Sequence, residues 1–368
     1  MPLHRRKPGF VLWPLSQIYG FVVGVRNQLF NLKILKQTSF DIPVITIGNI
    51  TVGGTGKTPH IEYLIKLLGN NFKIAVLSRG YQRKTKGFLL ATRSSKACEI
   101  GDEPRQLKQK FPQIRLAVCK NRVEGIRKLV TAFPDLHAVL LDDGYQHRYV
   151  KPGLSILLID YNQPIFNDRL LPYGNLRERE SEIRRAQIVI VTKTPERIKP
   201  IEKKIFIKDL HLYPYQFLYF TTFSYSNPVP LFKHAVQQKI DYEHLKKHHF
   251  SIILVTGIAN SHPLTSFLKK YTAKIDHIRY SDHHYYSVKD FESITRRFMK
   301  TGSRHKIILT TEKDAVKIKE LKPKDDNLKR NLFYIPVQVK FMDNGSKRFN
   351  KDIMDYIGKD KEVNRLHN

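Results

Sequence analysis

Residues 44–58 read Val44-Ile45-Thr46-Ile47-Gly48-Asn49-Ile50-Thr51-Val52-Gly53-Gly54-Thr55-Gly56-Lys57-Thr58. The first five residues form a short run rich in β-branched side chains, the pattern of a buried strand. After Thr58, residues Ile61, Leu64, Ile65 and Leu68 recur at i, i+3, i+4, i+7 spacing, the apolar stripe of a helix. Strand, glycine loop, Gly-Lys-Thr and helix is the order of a phosphate-binding loop. Gly53, Gly54 and Gly56 let backbone N–H groups curl around an anion, and the helix N-terminus adds its dipole. In such a loop Lys57 reaches the β- and γ-phosphates and the Thr58 hydroxyl ligates Mg²⁺. Residues Thr51, Val52, Gly53, Gly54, Thr55, Gly56, Lys57 and Thr58 are therefore the expected nucleotide cradle, although Thr51 stands where the usual motif has glycine. The competing reading is a glycine-rich turn with a chance Lys-Thr. The motif points to a nucleoside triphosphate and leaves the acceptor open.

Outward from this loop, short apolar runs at 73–77, 138–141, 154–159 and 188–192 suit buried parallel strands. Val123, Ile126, Leu129, Val130 and Phe133 make a helical face between them. The expected fold is α/β, a P-loop NTPase-like doubly wound sheet. Residues 218–232, with Pro228 and Pro230, read as a ribbon-like linker. Runs at 252–256 and 307–310 imply a second, smaller α/β unit, followed after Phe341 by a mostly charged tail with a short helical stretch near Ile353. The layout expected is an N-terminal helix to residue 32, a P-loop domain over 33–217, the linker, and a second domain over 233–368.

The chain has 368 residues with 41% hydrophobic content, enough for real cores. Lys+Arg number 64 against 33 Asp+Glu, a formal charge of +31, which calls for an anionic partner: nucleic acid, an acidic membrane face or a phosphorylated substrate. The bases are dispersed and no nucleic-acid-binding motif appears, so no nucleic-acid partner is expected. Cys98 and Cys119 lack metal or redox spacing and fit a cytosolic protein. Residues 9–25 carry no charge and lie between Arg5, Arg6, Lys7 and Arg26. Gln17, Gly20, Gly24, Asn27 or Gln28, and Asn31 recur as a narrow polar stripe, with Trp13 and Tyr19 as interfacial anchors. An amphipathic helix lying in a membrane interface is the favoured reading. A buried packing helix and a signal peptide or span compete with it.

Ala138-Val139-Leu140-Leu141-Asp142-Asp143-Gly144 is an apolar strand ending in carboxylates, the second half of P-loop chemistry, in which Asp holds Mg²⁺. Asp-Asp-Gly is also good turn chemistry. Four further clusters each admit two readings. Ser78-Arg79-Gly80-Tyr81 is a second phosphate contact or a basic turn. Gly101-Asp102-Glu103-Pro104 is a reactive carboxylate pair or helix capping. Asn175-Leu176-Arg177-Glu178 is a functional cluster or a solvated helix. Asp282-His283-His284-Tyr285 is an acid–base or metal cluster or ordinary histidines.

Taken in order from about residue 10 to residue 317, these motifs together with Thr311-Glu312-Lys313-Asp314 resemble the tetraacyldisaccharide 4′-kinase family of lipid A biosynthesis. Asp142-Asp143-Gly144-Tyr145-Gln146-His147 is the most specific of them, and Thr51 also follows the family pattern. The resemblance implies a peripheral or monotopic enzyme at the cytoplasmic face of the inner membrane. It implies transfer of the γ-phosphate of ATP to the 4′-hydroxyl of a tetraacyldisaccharide 1-phosphate, with ATP and Mg²⁺ as cofactors and lipid IV-A as product. By the same resemblance Asp102 is the base, with His283 its partner, or His284 if the match shifts by one. Lys57 contacts phosphate; Thr58, Asp142, Asp143 and Glu178 surround the metal. Arg79, Tyr81, His147, Asn175 and Arg177 lie near the lipid headgroup. The alternative is a P-loop ATPase or GTPase coupled to a protein or nucleic-acid partner. No Asn-Lys-x-Asp motif for guanine is present.

Overall fold

The computed structural model describes residues 11–232, 234, 240–321 and 325–366. The cationic flank Arg5, Arg6 and Lys7 lies outside the described residues.

A nine-stranded sheet carries the phosphate loop. Its spatial order is Val337–Phe341, Phe217–Tyr225, Ile188–Thr192, Leu154–Asp160, Val44–Gly48, Ala138–Asp142, Ile74–Ser78, Arg115–Val118 and Leu89–Leu90. All neighbours pair in parallel except the two outermost strands, which are antiparallel. Val44–Gly48 is buried along its whole length because both faces are covered. On one side Ile45 and Ile47 pack with Ile61, Leu64, Ile65 and Leu68 of the helix Lys57–Leu68. On the other, Val44 packs with Ile126 and Leu129 of the helix Arg122–Ala132. Each such fully buried aliphatic side chain contributes roughly 1.5–3 kcal/mol relative to exposure. This is the doubly wound arrangement expected. Val44–Gly48 sits between Ala138–Asp142 and Leu154–Asp160, so its outgoing loop opens where the strand order reverses, the usual position of a ligand crevice.

A second, five-stranded sheet has the order Ile275–Arg279, Ser251–Thr256, Lys306–Thr311, Leu332–Ile335 and Val229–Pro230. Two boundaries differ from those expected. Residues 218–225 are not a linker: they belong to the strand Phe217–Tyr225, whose Tyr219, Phe220 and Thr221 are buried. The prolines that suggested a linker come only afterwards, and Pro230 already joins the second sheet. Nor do residues 233–368 form one unit. Val337–Phe341 returns to the first sheet, and the charged tail is a 22-residue helix, Gly345–Leu366. That helix sends Phe349, Ile353 and Ile357 into the first sheet's core, a spacing of four residues diluted in sequence by the charged residues between them.

Candidate active site

The phosphate loop is built as its glycines require. Gly53 (φ 103°) and Gly56 (φ 87°) adopt left-handed backbone, and Gly56 caps the helix that starts at Lys57. A Cβ on Gly56 would lie 2.4 Å from Phe223 Cζ. Asn49 braces the loop: its amide donates to the Thr51 carbonyl at 2.8 Å and to the Thr51 hydroxyl at 3.1 Å. Thr51 thus uses its side chain where a glycine would have none. Lys57 Nζ reaches Asn49 Oδ1 at 3.1 Å and Asp143 Oδ1 at 3.3 Å, inside the loop's mouth.

Parallel register brings the carboxylates to the same place. Ile47 pairs with Asp142, so the end of Ala138–Asp142 lies beside the start of the loop. Asp142 is buried and accepts from Ser78 Oγ at 3.0 Å. Burial, and then the charges of Asp143 and Glu103, push its carboxyl up to about 6 against the pull of Lys57 and Ser78. Burial would also raise Asp143, but Lys57 and Arg177 outweigh it and hold that carboxyl below the ordinary range. Two adjacent carboxylates of opposite tendency, one disfavoured in its charged form, make a fitting donor set for a hard divalent cation together with the Thr58 hydroxyl. Among the described residues no three His, Cys, Asp or Glu side chains form a metal cage. Mg²⁺ shared between one or two carboxylates and phosphates requires none.

The opposite wall joins a helix of the first sheet to a turn that follows a strand of the second. Gly101, at φ 94°, turns the chain into the helix Asp102–Lys110, and Asp102 is buried in its first turn. His283 follows the strand Ile275–Arg279 in a turn of its own, and its Nδ1 lies 3.0 Å from Asp102 Oδ2. Of the doubled histidine, His283 is the one that meets Asp102. His284 instead bonds Asp290 at 3.1 Å and stacks on Tyr280. Tyr81 stands edge-on to His283, ring centres 5.7 Å apart.

The model of the family described as "Tetraacyldisaccharide-1-P 4'-kinase" matches residues 9–357. The chain belongs to this family. It is 49% identical over 352 residues to the tetraacyldisaccharide 4'-kinase of Bacteroides thetaiotaomicron, covering 94% of this chain and 92% of that protein. It is 42% identical to the one of Parabacteroides distasonis, covering 96% of each. The crystal structure of the "apo" form of LpxK from Aquifex aeolicus in complex with ATP is similar over 94% of this chain and 98% of that one. The TM-score is 0.70 and the identity 27%.

The remaining expected site residues of this kinase are arranged around an extended segment. Asn175-Leu176-Arg177-Glu178 is not a solvated helix. Its backbone runs along the phosphate loop, with Val52 N–H donating to the Asn175 carbonyl (2.8 Å) and Arg177 N–H to the Ile50 carbonyl (2.7 Å). Asn175 is held by Asp168 at 2.7 Å, and the Arg177 guanidinium lies 3.6 Å from Asp143. His147 accepts from the Arg122 backbone N–H at 3.3 Å. Burial first, then the Arg122, Arg26 and Arg79 cations, lower its pKa to about 4, so its ring is neutral at pH 7. Arg79 therefore belongs to a cationic group with Arg122 and Arg26. Glu178, expected at the metal, is buried in a different set of contacts: it pairs with Arg185 and accepts from Asn27 (3.1 Å) and Gln146 (3.5 Å).

The N-terminal helix, Leu12–Asn31, is docked against this segment. Ser16 donates to the Leu170 carbonyl, Tyr19 to that of Arg177 and Arg26 to that of Gln146, each at 2.9 Å. A Cβ on Gly20 would lie 2.6 Å from Leu170 Cδ1. Ser16, Gly20, Asn27 and Phe30 are buried, whereas Gln17, Gln28 and Asn31 of the expected polar stripe are exposed. Val11, Ile18, Phe21 and Val22 point outward, Phe21 with 69% of its surface exposed. The helix packs Ser16, Gly20, Asn27 and Phe30 inward and leaves a largely apolar face outward. No helix among the described residues is long and apolar enough to cross a membrane. Sequence reasoning missed Arg122, Arg185 and Lys317, which sit among ordinary basic residues and carry no motif.

Proposed function

We propose that this chain transfers the γ-phosphoryl group of ATP to the 4′-hydroxyl of a tetraacyldisaccharide 1-phosphate, forming lipid IV-A. The observation that carries the reading is the meeting of His283, from a turn beside the second sheet, with Asp102, on a helix of the first whose Glu103 acts electrostatically on Asp142. Phosphoryl transfer to a hydroxyl needs, besides the cradle, a base placed to take the acceptor proton, and Asp102 with its histidine partner fits that part.

In this reading the loop Thr51–Thr58 binds the triphosphate, and Lys57 leaves Asp143 for the β- and γ-phosphates. Thr58, Asp142 and Asp143 would hold Mg²⁺, which when bound offsets the charge of the transferring phosphoryl group. Asp102 takes the hydroxyl proton, and His283 orients it. Glu178 acts indirectly, fixing the segment that carries Asn175 and Arg177 along the loop. Arg79, Tyr81, His147, Asn175 and Arg177 line the place of the acceptor headgroup.

The enzyme works at the cytoplasmic face of the inner membrane, held there by the outward apolar face of its N-terminal helix. The surplus of 31 positive charges serves an anionic bilayer and a phosphorylated substrate rather than nucleic acid. Incubation with ATP, Mg²⁺ and the disaccharide 1-phosphate in mixed micelles tests the proposal. A doubly phosphorylated lipid is expected; ATP hydrolysis without lipid phosphorylation would overturn it.

A further inference from the structure

The two oxygens of Asp102 have different surroundings. Oδ2 accepts from His283 Nδ1 at 3.0 Å and lies 2.7 Å from Lys317 Nζ. Oδ1 is buried and has no hydrogen-bond partner among the described residues. An unmatched buried acceptor costs about 1–3 kcal/mol, more when charged, and a catalytic role is one of the reasons a native structure keeps one.

The histidine is fixed from its far side. Lys313 Nζ lies 3.1 Å from His283 Nε2. An ammonium only donates, so Nε2 accepts, and the ring proton is on Nδ1 and points at Asp102. Lys313 and Lys317 are four residues apart on the helix Glu312–Glu320 and therefore share one face. Lys317 is almost fully buried, with 4% of its side chain exposed. Apart from Asp102, its ammonium donates to the His284 carbonyl at 3.1 Å and lies 5.4 Å from the Tyr285 ring centre. A buried lysine in a site of this kind is costly unless its charge is used.

Resting on the kinase reading above, we infer that Lys317 is a positioning residue for the transfer. With His283 it occupies Oδ2, keeps Asp102 ionised and leaves Oδ1 as the oxygen that receives the proton. The acceptor O–H bond breaks toward Oδ1 while the hydroxyl oxygen bonds the γ-phosphorus. The bond from that phosphorus to the bridging oxygen breaks, and ADP leaves with the electron pair.

The groups facing Asp102 are His283 and Lys317 in contact, Lys313, Glu103 and Asp282 around the histidine, and Tyr285 and Asp314 around Lys317. Burial alone would raise the Asp102 carboxyl, but the hydrogen bonds from His283 and Lys317 and the Lys313 charge outweigh it, and its pKa lies below the ordinary value. The base is active when deprotonated, so activity falls as pH drops through that pKa. Removing a cation moves the acid limb to higher pH.

The test is the pH dependence of kcat/KM in mixed micelles for the wild type, Lys317→Met and Lys317→Arg, with thermal melting alongside. For Lys317→Met the expected result is an acid limb raised by about one pH unit or more, the scale of losing a contact cation. Its kcat should be at least ~10-fold lower, with the KM for ATP within about twofold of wild type. Lys317→Arg keeps the charge and should keep the wild-type acid limb at reduced kcat. An unchanged limb in a folded Lys317→Met overturns the inference. If Lys317→Met does not fold, a limb displaced upward in Lys317→Arg overturns it instead. A wild-type protein that phosphorylates no lipid would fail the kinase reading, a result separable from these.

Discussion

Asn27 donates to the Glu178 carboxylate at 3.1 Å, joining the N-terminal helix to the segment that lines the phosphate loop across 151 residues of sequence. Both side chains are buried. The helix that faces away from the protein with its apolar side is therefore fastened to the site by its polar side. Asn27→Leu should lower stability by about 1–3 kcal/mol, the usual loss for a buried hydrogen bond to a charged group. Thermal unfolding and the KM for ATP, measured together, would check this: both should worsen, because Glu178 directly follows the stretch whose backbone pairs with Val52 and Ile50.

Asp102→Asn should leave nucleotide binding within roughly threefold of wild type while lowering kcat by about 10²–10⁴, the range for loss of a positioned base. Equilibrium ATP binding and lipid kinase turnover on the same preparation separate the two. Comparable losses in both would contradict a role confined to the chemical step.

Lys110 joins three helices. Its ammonium lies 2.5 Å from Glu62 on the helix after the phosphate loop and 2.7 Å from Glu312 on the second sheet's helix. Burial, and then the Glu312 charge, already raise the Glu62 carboxyl. Lys110→Met leaves two carboxylates facing each other in a poorly hydrated place and should cost about 3–5 kcal/mol. In urea unfolding, Glu62→Gln added to Lys110→Met should restore part of that loss; strict additivity would show that the two are not coupled.

His60 is buried beneath the loop, its Nδ1 2.8 Å from the Gly56 carbonyl and its Nε2 3.1 Å from Thr221 Oγ1. Burial lowers its pKa from 6.5 to about 4, against the Gly56 hydrogen bond. The unfolded chain therefore binds a proton between about pH 6.5 and 4 that the folded chain refuses, and stability falls on acidification through that window. The loss is on the order of 3 kcal/mol at full depth. His60→Gln should flatten this part of a stability-versus-pH curve, as chemical denaturation at stepped pH would report.

Ile18→Asp with Phe21→Asp should weaken binding to anionic vesicles at least ~10-fold, since each outward side chain stands to bury roughly 1.5–3 kcal/mol of apolar surface. Cosedimentation measures this. Both side chains point away from the segment that lines the phosphate loop, so ATP binding should be unchanged.

The central strands were legible because a strand buried on both faces is a nearly unbroken apolar run. Val44–Gly48 and Ile188–Thr192 fall where expected, and Ala138–Asp142 is extended by one residue. Strands nearer an edge were not. Phe217–Tyr225 mixes Thr, Ser and Tyr with its apolar residues, and the nearby prolines invited a linker. The helix Gly345–Leu366 hides three anchoring side chains among charges. Among the candidate site residues named from sequence, Lys57 meets Asp143 and Asp102 meets His283 in the fold. Local sequence could not show that Glu178 turns to Arg185 and Asn27, nor that Lys317 reaches Asp102, because each contact is made by a distant segment. The doubled histidine was undecidable in sequence for the same reason: only packing tells which ring faces Asp102.

The chain leaves the first sheet at Tyr225 and re-enters it at Val337, and these two residues pair with one another. Synthesis therefore lays down the whole of the second sheet before the first receives its last strand. Until Val337–Phe341 arrives, Phe217–Tyr225 is an open edge with unpaired backbone groups, able to template pairing with another chain. The nascent protein must hold this edge unpaired while more than a hundred residues of a different sheet emerge. Premature termination inside the second sheet would release chains that carry a complete phosphate loop together with an adhesive flank.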